Sequence, residues 1–330
     1  MGDRDVQDVQ PATSPAPRAC GRIAVLIPCY NEAAAIRPVV EGFRKALPEA
    51  GIFVYDNNST DGTADIARAA GATVRRETFQ GKGNVVRRMF ADIEADTYVM
   101  VDGDNTYDAP SVIALLEAYV EHGVDMVNGA RVTEYEAAYR PGHRFGNWML
   151  TTLVAQIFGQ QFKDMLSGYR VFSRRFVKSF PALSRGFEIE TELTVHALEL
   201  RMATIEVETP YYARPEGSVS KLSTLQDGRR ILMAIGKLVK EERPLQFFSA
   251  VFAVLAVTSM ILIIPIIQTY METGLVPRFP TAILATGIML LAFLSLSSGF
   301  VLDTVTRGRQ EMKRMRYLSE PGPGTLASEN

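Results

Sequence analysis

The sequence predicts an α/β protein built on a mainly parallel, doubly wound sheet and followed by two membrane-crossing helices. From Arg22 onward, short apolar runs alternate with segments of helical periodicity. Strands that alternate with helices of about ten to fifteen residues form parallel sheets covered on both faces. Two long uncharged stretches then follow residue 244, each longer than the roughly 20 residues a helix needs to cross a bilayer.

Residues 1–21 are polar and rich in proline, with no apolar h-region. They predict a disordered arm and no secretory signal. Ile23–Ile27 reads as a buried strand ended by Pro28, and Ala33–Leu47 as the helix after it. Ile52–Tyr55 is the second strand, with Ser59 or Thr60 available to cap a helix that runs to about Ala70 and stops at Gly71. Ala72–Val74 starts a third strand and Gly83–Ala95 forms a helix. Tyr98–Val101 is a strand, Pro110 suits the first turn of the next helix, and Asp125–Asn128 is a strand again. In such sheets ligands bind beyond the carboxyl ends of the strands.

Composition narrows the function. The 330 residues are 47% hydrophobic and 22% charged, ample for a core, and the net charge of −2 offers no basic field for nucleic acid. Cys20 and Cys29 lack CxxC spacing, and the three histidines (His122, His143, His196) are scattered. Neither a disulfide framework nor a zinc site is predicted.

The uncharged stretches are Leu245–Tyr270 and Phe279–Leu302. Arg229, Arg230, Lys237, Lys240 and Arg243 precede the first, and Arg307, Arg309, Lys313, Arg314 and Arg316 follow the second, whereas the intervening loop carries Arg278. The positive-inside rule therefore places both ends in the cytoplasm. In Arg229–Glu242, an apolar stripe of Ile231, Leu232, Ile235, Leu238 and Val239 opposes Arg230, Lys237, Lys240 and Glu241. Such a segment lies in the membrane interface or packs on the sheet. The expected organisation is an arm (1–21), an α/β domain (22–225), a juxtamembrane amphipathic helix (226–244), two spans (245–303) and a basic cytoplasmic tail (304–330). The spans also offer a surface for self-association.

The chemistry concentrates at strand ends. In Val99-Met-Val-Asp-Gly-Asp104 a strand delivers Asp102 and Asp104 into a turn that Gly103 permits. Two hard oxygen donors at that spacing suit Mg²⁺ or Mn²⁺, with a diphosphate supplying further ligands. Alone, Asp-Gly-Asp is a common turn. Its company is Pro28-Cys-Tyr-Asn-Glu32 after the first strand and Val54-Tyr-Asp-Asn-Asn-Ser-Thr-Asp-Gly-Thr63 after the second.

These three motifs, in this order, resemble the family 2 glycosyltransferases with the GT-A fold, over about residues 22–225. The resemblance implies that Pro28, Tyr30, Glu32 and Asp56 contact the nucleoside of a nucleotide sugar. Asn57 stands where an aspartate is usual and retains the ability to hydrogen-bond ribose. Three further segments are similar to the dolichyl-phosphate mannose synthase and bacterial polyprenyl-phosphate glycosyltransferase group. They are Gly81-Lys82-Gly83-Asn84, Ser167-Gly168-Tyr169-Arg170 with Val171-Phe172-Ser173-Arg174, and Gly217-Ser-Val-Ser-Lys-Leu222. This similarity implies Lys82 at the donor, Arg170 at the donor diphosphate or acceptor phosphate, and Arg174, Ser220 and Lys221 at the acceptor phosphate. After Asp104 the sequence departs from that group, leaving Thr106, Asp108 or a water as the additional metal ligand.

Glu188, Glu190 and Glu192 form an acidic trio. The trio serves as a catalytic base, as an acceptor-site wall, or as the favourable first turn of a helix. Glu190 is the functional candidate among them. A phosphate acceptor needs no base, because its second pKa near 6 leaves it mostly dianionic at neutral pH. The expected activity is inverting transfer of a sugar from a UDP- or GDP-linked donor to a polyprenyl phosphate in the bilayer. Its rivals are a processive polysaccharide synthase and a degenerate membrane scaffold. The Gln-x-x-Arg-Trp motif of the synthases is absent, since the single tryptophan, Trp148, follows Gly146-Asn147.

Overall fold

The computed structural model describes residues 17–132, 152, 162–183, 186, 188–215, 236 and 240–323. The chain divides into two compact units, Met1–Gly228 with Lys313–Asn330, and Arg229–Met312. The arm before residue 17, the loop bearing Ser220 and Lys221, and nearly all of the amphipathic segment before residue 240 lie outside the described residues.

In the first unit the strands are β1 (Ile23–Cys29), β2 (Gly51–Asp56), β3 (Thr73–Arg76), β4 (Thr97–Met100), β5 (Met126–Val132), β6 (Arg170–Ser173) and β7 (Thr204–Pro210). The helices are α1 (Ile36–Ala46), α2 (Thr63–Ala69), α3 (Lys82–Asp92), α4 (Val112–His122), α5 (Arg174–Ser179) and α6 (Ile189–Glu199). Among the described residues these strands make one sheet in the order β3-β2-β1-β4-β6-β5-β7. β1 pairs in parallel with β2 and β4, β2 with β3, and β5 with β7; β6 runs antiparallel between β4 and β5. Ala24–Ile27 are buried, as a strand covered on both faces requires. One large core gathers Val25 and Ile27 of β1, Val40 and Phe43 of α1, and Leu115 and Leu116 of α4. Phe90, Phe172, Phe176 and Phe180 form an aromatic chain under α3 and α5.

Local chemistry moves two expected boundaries. α2 begins at Thr63 behind Gly62, whose φ of 85° is left-handed, so neither Ser59 nor Thr60 caps it. Those hydroxyl-bearing residues are engaged elsewhere: Ser59 Oγ accepts from Asn31 N at 2.9 Å, and the Thr60 N–H donates to Asn31 Oδ1 at 2.8 Å. α4 begins at Val112 rather than at Pro110, and Asp108 Oδ2 accepts from Ser111 N at 3.0 Å and from Ser111 Oγ at 2.6 Å.

The second unit holds α7 (Pro244–Thr273) and most of α8 (Phe279–Leu318). Both are long and apolar enough to cross a membrane. At about 1.5 Å per residue, α7 extends about 45 Å against the roughly 30 Å of a bilayer core. The two helices run antiparallel. Ser259 Oγ donates to Ala285 O at 2.8 Å, and Ser295 Oγ donates to Phe248 O at 3.2 Å. Ala285, Ala292 and Gly299, seven residues apart, are buried between them, and a Cβ on Gly299 would lie 2.9 Å from Phe248 Cβ. Small residues let the backbones approach; most of the large apolar side chains of both helices are exposed.

The segment expected as a tail after residue 303 continues α8 to Leu318. Its final turns belong to the first unit. There Lys313 pairs with Glu199 at 2.6 Å and Tyr317 OH donates to Asp125 Oδ2 at 2.9 Å. Arg175 also grips Asp125, at 2.5 and 2.8 Å, and lies 4.6 Å from the Tyr317 ring centroid.

Candidate active site

The parallel strands deliver their following loops to one edge of the sheet, and the candidate residues collect there. Asn31 after β1, Asn58 after β2 and Asn105 after β4 all adopt left-handed backbone, with φ of 52°, 65° and 56°. Asparagine tolerates this region better than most residues, so each strand is followed by an abrupt turn. The first two loops are bolted together. Glu32 N donates to Thr63 Oγ1 at 2.9 Å, and Ala33 N donates to Asp61 Oδ2 at 3.0 Å. Asn57 joins this frame to the loop before α3. Its side-chain N–H groups donate to Glu77 O (3.0 Å) and Phe79 O (2.8 Å), and its Oδ1 accepts from Gly81 N (2.7 Å).

Around these loops lie the chemically active groups. Lys82, at the start of α3, places Nζ 2.5 Å from both Asp102 Oδ1 and Glu190 Oε1. Lys82 and Glu190 are largely buried, whereas Asp102 keeps about a quarter of its side chain exposed (26%). Burial disfavours the ammonium, but the two carboxylates outweigh it and hold the Lys82 pKa above that of an ordinary lysine. Burial pushes the Glu190 pKa up, with Lys82 opposing. Asp104 is buried; its Oδ1 accepts from Thr106 Oγ1 at 2.6 Å and its Oδ2 lies 2.6 Å from Arg214. Burial, joined by the charge of Asp102, raises the Asp104 pKa against the pull of Arg214.

Two glycines make the cluster possible. A Cβ on Gly168 would lie 2.4 Å from Asp102 Oδ2, and one on Gly103 would lie 2.4 Å from Cys29 Sγ. Beside Asp102 opens a cleft of about 370 Å³, lined by Phe43, Asn105, Tyr107, Asp108 and Tyr212. Tyr30, in the loop after β1, is exposed (38%). Asp56 is buried, with Oδ2 accepting from Ser59 N at 3.3 Å and Oδ1 without a hydrogen-bond partner among the described residues.

A family model, "Glycosyl transferase family 2", matches residues 24–180. The chain is also 34% identical over 303 residues to Glycosyltransferase AglJ of Haloferax volcanii, covering 90% of this chain and 98% of that one. It is a family 2 glycosyltransferase. Dolichyl-phosphate hexose transferase of the same organism is 27% identical over 221 residues, covering 67% of this chain and 95% of the relative. Among solved structures, glucosyl-3-phosphoglycerate synthase from Mycobacterium tuberculosis, in complex with Mn²⁺, UDP and phosphoglyceric acid, matches with a TM-score of 0.54. That match is 22% identical and covers 68% of this chain and 79% of the other, so it establishes the GT-A fold.

The structure of this glycosyltransferase brings Pro28, Tyr30, Glu32, Asp56, Lys82, Asp102, Asp104 and Glu190 to the carboxyl edge of the sheet. It corrects two arginines. Arg170 is fully buried at the start of β6, and its guanidinium is already engaged. It donates to Ser167 O (2.9 Å), Met165 O (2.6 Å) and Thr194 Oγ1 (2.8 Å). Four of its five N–H groups are engaged, one of them at 3.6 Å from Met126 Sδ, and the fully buried side chain presents no surface to a phosphate. Arg170 instead ties the 165–167 turn to α6, and Thr194 Oγ1 in turn donates to Glu190 O at 3.2 Å. Arg174 lies at the other end of β6, which runs antiparallel, and therefore at the opposite edge of the sheet. There it pairs with Glu94 at 2.8 Å and Glu320 at 3.1 Å, away from the reacting groups.

Asn57 is likewise spent on backbone groups, as the frame above requires. Of the open alternatives after Asp104, Thr106 supports Asp104, and Asp108 accepts from the backbone and hydroxyl of Ser111 just before α4. Among the described residues, no group of three or more histidines, cysteines or carboxylates forms a metal cluster. The residue that sequence reasoning missed is Arg214. Its only sequence signal is a basic residue three positions before the Gly217–Leu222 motif.

Proposed function

We propose that this glycosyltransferase moves a sugar from a nucleoside diphosphate donor to a polyprenyl phosphate at the cytoplasmic face of a membrane. The observation that carries the reading is one chain bearing both the Lys82–Asp102–Glu190 and Asp104–Arg214 constellation and two helices able to span a bilayer. The dolichyl-phosphate acceptor named for one relative supports the acceptor class. The basic flanks of the spans support a cytoplasmic site.

Asp102 and Asp104 are the residues that hold Mg²⁺ or Mn²⁺ in this reading. The fit rests on two features. The backbone at Gly168 leaves room for the Asp102 carboxylate, and each carboxylate is built facing positive charge, at 2.5 and 2.6 Å. When bound, the ion neutralises the charge that grows on the leaving nucleoside diphosphate. The chain's own residues do the rest. The frame of Asn31, Asn57, Ser59 and Thr63 fixes the loops that receive the nucleoside, with Asp56 Oδ1, unpartnered among the described residues, available to a base N–H. Lys82 brings a fixed ammonium beside the sugar and diphosphate, and Glu190 keeps it there. The acceptor phosphate is its own nucleophile, so no carboxylate need remove a proton. Positioning and preorganised charge then supply most of the acceleration.

The test is to incubate membranes containing the protein with a panel of radiolabelled nucleotide sugars and to extract the lipid. Label that appears in an acid-labile polyprenyl fraction, and vanishes with chelator, supports the reading. Label that appears only in water-soluble or polymeric product overturns it.

A further inference from the structure

Asp104 and Asp102 both face a cation, but the two cations are held in different ways. Lys82 is largely buried and is held by two carboxylates at once. Arg214 is about one-third exposed; one N–H group lies 2.6 Å from Asp104 Oδ2 and the other 3.9 Å from Glu32 Oε1. The backbone leading to it is pinned, by Tyr211 N donating to Val132 O (2.9 Å) and Tyr212 N donating to Thr106 O (2.8 Å). Release of Asp104 by Arg214 is therefore a movement of the side chain, with the backbone held in place. Because Thr106 occupies the other oxygen of Asp104 at 2.6 Å, the oxygen facing Arg214 is the one left for another ligand.

We infer that Arg214 is the resident counter-ion of Asp104, that it competes with the divalent cation for that oxygen, and that it transfers to the donor diphosphate when metal and nucleotide arrive together. The inference rests on the reading of Asp102 and Asp104 as the metal-holding pair. A divalent cation bound to that oxygen would stand close to the guanidinium, and the repulsion of like charges favours displacement of Arg214 by the ion. Displaced alone, Arg214 gives up its ion pair with Asp104 and no new anion arrives in exchange. Displaced beside a diphosphate, its planar fork finds the oxygen pair it matches best. Metal binding is thereby made conditional on nucleotide, and by thermodynamic reciprocity nucleotide binding is made conditional on metal.

The test is Mn²⁺ titration of the detergent-solubilised full chain, read by the electron paramagnetic resonance of free Mn²⁺, without and with UDP or GDP. Wild-type protein is expected to bind Mn²⁺ weakly alone and more tightly with nucleotide. Arg214→Ala and Arg214→Gln are expected to tighten binding of Mn²⁺ alone, by roughly 5- to 10-fold, and to shrink the gain from nucleotide. Mn²⁺ binding that disappears in Asp104→Asn but is indifferent to both Arg214 variants overturns the counter-ion role alone. Mn²⁺ binding that Asp104→Asn leaves untouched overturns the ligand assignment beneath it.

Discussion

Lys82 Nζ lies 2.5 Å from Glu190 Oε1, joining the start of α3 to the first turn of α6 across 108 residues of sequence. The same ammonium reaches Asp102, so one largely buried cation balances a buried carboxylate and a partly exposed one. Lys82→Met would leave both carboxylates uncompensated and is expected to lower transfer about 10²- to 10³-fold, with a lower melting temperature. Glu190→Gln keeps an acceptor for Lys82 and is expected to cost less. Steady-state rates for the two variants decide between roles. A Glu190→Gln loss exceeding that of Lys82→Met would mean that Glu190 acts on the reacting groups themselves.

Arg170 is expected to behave as a structural residue. Arg170→Ala removes a buried guanidinium and strands Ser167 O, Met165 O and Thr194 Oγ1, a change expected to cost about 3–5 kcal/mol. Thermal unfolding should show the loss, whereas calorimetric nucleotide affinity per folded molecule should stay near wild type. A variant that melts like wild type but loses nucleotide affinity would return Arg170 to the phosphate site.

The contrast between Asp102 and Arg170 explains what could be read in advance. Asp102 and Asp104 sit just past an apolar strand, and a parallel sheet places such residues at the ligand edge whatever the rest of the fold does. Arg170 and Arg174 bracket Arg170-Val-Phe-Ser173, a four-residue strand led by a charge, whose direction no local pattern fixes. It runs antiparallel, so about 13 Å of extended chain carries Arg174 to the far edge of the sheet. Burial of Arg170 was equally illegible, because its partners come from the turn at 165–167 and from α6. Arg214 escaped for the converse reason. It touches Asp104 only because β7 pairs with β5 and returns the chain to the turn after β4.

His196 sets a pH limit on stability. It is buried on α6 with Ser179 Oγ 3.1 Å from its Nε2 and the rings of Phe176 and Phe180 beside it. Burial, with the charge of Lys313 adding, lowers its pKa from 6.5 to about 3. The unfolded chain therefore takes up this proton first, and the stability present above the unfolded pKa is lost as pH falls towards the folded one. The slope is about 1.4 kcal/mol per pH unit below the unfolded value. Melting temperatures of wild type and His196→Leu, taken from pH 7 down to pH 4.5, should converge as the pH drops. Parallel curves would mean that His196 titrates normally in the fold.

The flanks of the spans predict topology. Five basic residues precede the first uncharged stretch and five follow the second, whereas Arg278 alone lies between them. Fusions of a phosphatase active only outside the cytoplasm should be silent at Asn330 and active in the loop near Gly274. An active fusion at Asn330 would invert the arrangement and put the site on the wrong face for a cytoplasmic donor.

Asp104→Asn is the sharpest test of the metal-holding pair. The amide still accepts from Thr106 Oγ1 and keeps the shape of the buried side chain, so the fold should persist. It loses the charge that faces Arg214 and, in the proposed reading, the charge that holds the cation opposite the diphosphate. Transfer is expected to fall by about 10²- to 10³-fold, the scale of removing one preorganised transition-state contact. Chelator should abolish wild-type transfer to a similar floor, and added Mn²⁺ should restore the wild type but not the variant. Circular dichroism and the melting temperature separate this loss from unfolding. Should Asp104→Asn retain wild-type turnover, or respond to Mn²⁺ as the wild type does, the cation is held elsewhere and the carboxylate serves only to anchor Arg214.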